Sequence, residues 1–155
     1  MLGPSAFSYS GGFGASLKRS QTDLLHQHGL WCYPSITGRR WAEAHSTPRV
    51  ISPHNMLDSV SLKKGAWRKR IALKLYEKRN IDTAGCIHAL VEKEGYDIRE
   101  QGFKAPICIV PNGIEVPQTQ ALPDHLSAIV GGQPYLLYLS RLTEVKQVLP
   151  LMEAW

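Results

Sequence analysis

Arg49-Val50-Ile51-Ser52-Pro53-His54-Asn55-Met56-Leu57-Asp58 is a short apolar run that stops at a proline loop carrying a histidine. The run does not alternate between apolar and polar residues, which suits a strand buried on both faces of a parallel sheet. In open α/β sheets ligands bind beyond the carboxyl ends of the strands, so the loop after such a run is where chemistry is placed. Two further runs end the same way. Residues 24–28 lead into His28-Gly29-Leu30-Trp31, and residues 107–110 lead into Pro111-Asn112-Gly113. Three such exits, with two histidines and an asparagine, predict one cleft built from several loops. Residues 86–90 and 135–140 are the remaining apolar runs, and most runs are separated by enough chain for a crossover helix. The expected class is α/β with a parallel sheet.

The helices are less evenly marked. The clearest spans about 61–80, with Ser61 as its N-cap and Trp67, Ile71 and Leu75 as a stripe at i, i+4, i+8. Residues 91–101 predict a second helix ending at Gly102 as its C′ residue. A short helix is expected over 15–21, after a Gly- and Ser-rich loop at 1–14. Gly12-Phe13-Gly14 with Lys18 does not satisfy the phosphate-loop pattern. From 115 to 133, Pro117, Pro123, Gly131 and Gly132 break any period, as in a linker. Residues 135–140 then start a fresh strand and 145–155 a helix. A lone strand and helix cannot make a domain. The expected division is therefore a partial first domain over 1–116, a linker over 117–134, and the first βα unit of a second domain over 135–155.

Composition limits the partners. The chain has 155 residues, is 43% apolar and carries a net charge of +5, which favours anionic partners. The three cysteines, Cys32, Cys86 and Cys108, form no CxxC and read as buried and reduced. Residues 1–20 lack a continuous apolar segment of signal-peptide type, and no stretch is apolar enough to span a bilayer. A cytoplasmic protein is expected. Residues 61–80 carry Lys63, Lys64, Arg68, Lys69, Arg70, Lys74, Lys78 and Arg79. A solvated helix surface explains them, and so does peripheral contact with anionic lipid. Nucleic acid is the weaker reading, because the basic residues surround the helix and no interleaved aromatics would stack bases.

Five segments, in order, resemble the group 1, or family 4, glycosyltransferases of the polysaccharide-biosynthesis type. His26-Gln27-His28-Gly29-Leu30-Trp31 is similar to their strand-exit HGLW, and Val50 to Asp58 to their SPHGMLD. Cys86-Ile87-His88-Ala89-Leu90 through Glu94 resembles a segment ending at an acidic position. Ile109-Val110-Pro111-Asn112-Gly113-Ile114-Glu115 resembles PNG(V/I)(D/E), and Leu137 to Leu142 through Lys146 resembles the first strand and loop of the donor domain. The likeness covers about 23–155. Two positions depart from it: Asn55 and Gln147 stand where glycine is usual. The family's glycine-rich first loop would lie upstream of residue 1 and its paired-glutamate motif beyond residue 155, so the sequence is expected to be an inactive fragment when alone.

The resemblance implies a two-domain, Rossmann-like (GT-B type) enzyme that moves a hexose, with retention, from a nucleotide-diphosphate donor to a saccharide or lipid-linked acceptor. It implies no cofactor and no metal. His54 would contact the transferred sugar, hydrogen-bond a hydroxyl and ease positive charge on an oxocarbenium-like transition state. Arg141 and Lys146 would hold the donor diphosphate, the first as a bidentate fork and the second as a point charge. His28, Gly29, Asn112 and Gly113 would line the cleft. Other readings of the same residues stay open. The HxH of His26 and His28 also suits a metal-dependent hydrolase, since both rings point to one face of a strand. Asn112-Gly113 also suits a hairpin turn pairing 107–110 with 114–116. A basic nucleic-acid-binding α/β module is the third possibility.

Overall fold

The computed structural model describes residues 7–116, 123–143 and 146–155. Contacts divide the chain into two compact units, Met1–Gly113 and Ile114–Trp155.

The first unit is built on four strands: β1 (Leu25–His28), β2 (Arg49–Ser52), β3 (Cys86–Ala89) and β4 (Ile107–Ile109). They form one sheet in the order β1-β2-β3-β4, and every pairing is parallel. All carboxyl ends therefore lie on one edge. The expected Rossmann-like parallel sheet is present, and each strand falls within one residue of its apolar run. The alternative hairpin does not form, because residues 110–116 leave β4 without pairing to it.

Helix α1 (Gly11–Arg19) precedes β1, and α2 (Tyr33–His45), α3 (Ser59–Lys63), α4 (Ala66–Ala72), α5 (Lys78–Asp82) and α6 (Glu92–Glu100) fill the connections. Helix α1 begins earlier than expected, inside the glycine-rich stretch. Pro34 opens α2, where a missing amide hydrogen costs nothing. Helix α6 ends as expected: Gly102 takes φ +80° and its N–H closes on the Arg99 carbonyl at 2.9 Å.

The stretch 61–80 departs most from expectation. It is α3, a break at Lys64-Gly65, α4, one π turn (Leu73–Glu77) and α5. The N-cap is Asp58, not Ser61; its carboxylate accepts the Val60 and Ser61 N–H groups at 2.7 and 2.8 Å. Trp67, Ile71 and Leu75 face solvent at 63%, 48% and 75% exposure, while Glu77, Asn80 and Ile81 are buried. Polar groups win the inner face because each finds a partner there. Arg49 Nη1 donates to Asn80 Oδ1 at 2.6 Å, and Asn80 Nδ2 donates to Glu77 Oε1 at 2.7 Å.

The core lies on one sheet face. Ile51, Ile87 and Ala89 project from β2 and β3 against Leu57, Ile81, Ile98 and Phe103. The opposite face carries exposed His26 and His28, half-buried Val50, Cys86, His88 and Cys108, and buried Ser52. The three cysteines are free and half-buried, not buried, because Cys86 and Cys108 project from this open face.

The second unit contains α7 (Asp124–Val130) and α8 (Val148–Ala154). Helix α7 lies inside the stretch that reads as a linker, of which 117–122 fall outside the described residues. Residues 135–140 do not form the expected strand. A strand exists through its ladder, and no described segment pairs with this one.

Candidate functional site at the carboxyl edge of the sheet

Each strand exit in the first unit is fixed by a specific bond. After β1 the chain turns at Gly29, φ +78°, and the Gly29 N–H donates to the Ser52 carbonyl at 2.8 Å. A Cβ there would meet Met56 Cε at 3.4 Å. Trp31, also left-handed at φ +67°, donates its N–H to Glu77 Oε2 at 2.7 Å. After β2, buried Pro53 is followed by His54 and Asn55 at φ +54° and +58°. The Asn55 N–H donates to Glu94 Oε1 at 2.7 Å, and Leu90 N–H, at the β3 exit, donates to Glu94 Oε2 at 2.8 Å. Two almost inaccessible carboxylates thus brace three exits.

Burial raises the pKa of Glu77 above the usual glutamate value, against the opposing pull of the Asn80 and Trp31 hydrogen bonds. Arg49, whose guanidinium also donates to the Asn80 carbonyl and to Thr83 Oγ1, is lowered by burial.

Four histidines gather beyond this bracing. His28 Nδ1 and His54 Nε2 lie 2.9 Å apart, with the rings stacked at 11°. His26 and His28 share one face, as the HxH spacing predicts, with centroids 4.3 Å apart. His26 Nε2 meets Ser52 Oγ at 2.8 Å, Ser52 Oγ meets His88 Nδ1 at 2.8 Å, and His88 Nε2 meets the Val110 carbonyl at 2.7 Å. Burial, then the charge of His28, His88 and His54, lowers the His26 pKa. Among the described residues no His, Cys, Asp and Glu group is arranged to hold a metal ion.

His54 and His28 are therefore together at the sheet edge, both exposed, and Gly29 is buried beneath them. Asn112 and Gly113 are exposed and follow Val110 in irregular chain. Arg141 and Lys146, in the second unit, are exposed; Tyr138 Oη donates weakly, at 3.5 Å, to the carbonyl of each. Asn55 and Gln147, where the resemblance expects glycine, have φ of +58° and +49°. The left-handed backbone that glycine would supply is kept at both positions.

Sequence reasoning gave no site role to Ser52 or His88. The signal was present: in a parallel sheet paired in register, Ser52 and His88 fall on the same face as His26 and His28. Glu77 carried no signal, because its partners are 46 residues away at Trp31 and on its own helix at Asn80.

Beside the β1 exit, Trp31, Leu62, Lys63, Lys69, Arg70 and Leu73 line a pocket of about 250 Å³. Lys69 Nζ lies 5.9 Å from the centre of the Trp31 ring and donates to the Ser61 carbonyl.

No curated protein and no solved structure gives a significant match to the sequence. The family model described as glycosyl transferase 4-like domain matches residues 2–113, well over half of the chain and nearly all of the first unit. With its parallel sheet and its histidines at the strand exits, the chain belongs to the glycosyl transferase 4-like domain family.

Proposed function

We propose that the chain serves hexosyl transfer, with retention, from a nucleotide-diphosphate donor to a saccharide or lipid-linked acceptor in polysaccharide synthesis. The observation that carries this reading is the His28–His54 pair, held by braced backbone at the carboxyl edge of a parallel sheet. His54 contacts the transferred sugar. Its ring is exposed and stacked, so hydrogen bonding to a sugar hydroxyl costs little reorganisation. His28, Gly29, Asn112 and Gly113 line the cleft. Residues 135–155 begin a nucleotide-binding domain in which Arg141 and Lys146 hold the diphosphate and stabilise it as it leaves. No cofactor is needed, since the donor carries its own leaving group.

The acceptor side favours an anionic, amphiphilic ligand. The pocket beside Trp31 combines Lys63, Lys69 and Arg70 with Leu62 and Leu73. Next to it, the exposed apolar residues Trp67, Ile71 and Leu75 sit among exposed lysines and arginines. Such a face suits the headgroup boundary of an anionic membrane, here the cytoplasmic leaflet. No described helix is long and apolar enough to cross a membrane.

Kinetics of transfer by an enzyme that carries both domains test the reading. Arg141→Ala and Lys146→Ala should each cost about 2–4 kcal/mol in kcat/KM, the scale of one preorganised charge-stabilising group. His54→Ala should lower turnover and leave nucleoside diphosphate affinity nearly intact. Unchanged kinetics in all three variants would exclude this assignment.

A further inference from the structure

The row His26–Ser52–His88–Val110 has only one proton arrangement when neutral. The Val110 carbonyl can only accept, so His88 Nε2 must carry its hydrogen. Neutral His88 then has a bare Nδ1, and the Ser52 hydroxyl must donate to it. The only hydrogen of that hydroxyl is now used, so Ser52 Oγ accepts from His26 Nε2–H. His26 is left with a bare Nδ1. One backbone carbonyl thus dictates the tautomer of a ring three strands away. His26 itself is exposed, beside the ring of His28 at 4.3 Å, and its lowered pKa keeps it neutral and able to accept.

We propose that His26 is the proton acceptor for the attacking hydroxyl, and that Ser52 and His88 are positioning residues that relay the proton away from it. This rests on the transfer reading given above. The acceptor hydroxyl loses its proton to His26 Nδ1 as its oxygen lone pair forms the bond to the sugar carbon. The hydroxyl attacks from the face the diphosphate leaves, so configuration is retained; the sugar–phosphate bond breaks and its electron pair leaves with the diphosphate. His26 Nε2 passes its hydrogen to Ser52 Oγ, and Ser52 passes its own to His88 Nδ1. One proton enters at His26 and one positive charge ends on His88, held by the Val110 carbonyl. The two transfers within the row span contacts of 2.8 Å that already exist, and the 2.7 Å bond to the Val110 carbonyl holds the charged His88. The other titratable groups on this face are His28 on β1, His54 after β2, Cys86 on β3 and Cys108 on β4. The Cys108 thiol is pushed up by burial and by Cys86, so it stays protonated and does not compete for the charge.

Nitrogen-15 NMR of histidine-labelled protein reads this directly. At neutral pH both His26 and His88 should show a protonated Nε2 and a bare Nδ1. On acidification His26 should switch to the Nδ1–H form in step with the second protonation of His88. Ser52→Ala should abolish the switch, and Ser52→Thr, which keeps the hydroxyl, should restore it. A His26 that carries Nδ1–H at neutral pH, or that keeps its tautomer while His88 titrates, overturns the relay. The wild-type spectrum decides this even if the alanine variant fails to fold. In transfer assays Ser52→Ala should lower kcat by about 100-fold with KM for the sugar nucleotide unchanged; an unchanged kcat overturns the catalytic use of the relay. The spectra are independent of turnover. Absence of transfer with every donor by an enzyme that carries both domains would therefore count against the transfer reading, while the tautomers alone judge the relay.

Discussion

Glu94 should be worth more to this fold than any exposed charge, although it makes no ion pair among the described residues. Its side chain is 1% exposed, and its two oxygens accept the N–H groups of Asn55 and Leu90 at 2.7 and 2.8 Å. Hydrogen bonds to a charged group contribute about 1.5–3 kcal/mol each, and a buried donor left alone costs about 1–3 kcal/mol. Glu94→Ala strands both donors, and part of that loss is offset because a carboxylate no longer has to be buried. The expected destabilisation is about 3 kcal/mol. Glu94→Gln keeps one acceptor and turns an amide NH2 against the other N–H, so about half that loss should remain. Urea unfolding of the protein followed by far-UV circular dichroism measures both. With an m-value of about 1–3 kcal/mol/M, Glu94→Ala should lower the midpoint by at least 1 M. Because Asn55 follows His54, the variant should also release the left-handed turn and the His28–His54 contact. A Glu94→Gln protein within about 0.5 kcal/mol of wild type would refute the bracing role.

Gly29→Ala should cost about 1–2 kcal/mol in the same unfolding assay, since φ is +78° and the new Cβ would meet Met56 Cε at 3.4 Å. Gln147→Gly should stabilise the second unit by up to about 1 kcal/mol, because Gln147 holds φ +49°; this is read as slower amide exchange across α8. Burial raises the folded-state pKa of Glu77 above its open value of 4.5, so the folded state binds this proton before the unfolded chain does. Stability from this group therefore rises as pH falls from neutrality through the folded pKa and levels off below 4.5. The difference between wild type and Glu77→Gln, measured from pH 8 to 4, should follow that slope. Trp67→Ser with Leu75→Ser should leave stability within about 0.5 kcal/mol, both residues being exposed, and should weaken sedimentation with phosphatidylglycerol vesicles.

The sheet was legible because its strands are short runs closed by loop residues, although β1, Leu25-His26-Gln27-His28, is mostly polar. Residues 49–52 match β2 exactly in extent, and the exits after β1, β2 and β4 fall where glycine or proline interrupts the run. The helical stretch after β2 was misread for a physical reason. A periodic stripe such as Trp67, Ile71 and Leu75 predicts burial only when no better-partnered residues compete, and Glu77 with Asn80 are tied inward through Arg49. The Arg49–Asn80 bond joins residues 31 positions apart in sequence, so no local pattern contains it. The same limit hides the site. His28 and His54 could each be placed at a strand exit, but their contact, and the chain of bonds from His26 to Val110, depend on strand register. Residues 135–140 show the converse case: local composition favours a strand, and the absence of a described partner leaves it irregular.

The most direct test is to titrate sugar nucleotides into the histidine-labelled protein and follow every imidazole. UDP-glucose, UDP-galactose and GDP-mannose serve as the panel. The expected result is a saturable shift confined to His54, His28 and His26 with at least one donor, while His45, which is bonded to the Trp41 carbonyl, and His125 in α7 stay fixed. Shifts at His45 or His125 alone, or none at the sheet edge with any donor, would contradict a sugar site at these strand exits.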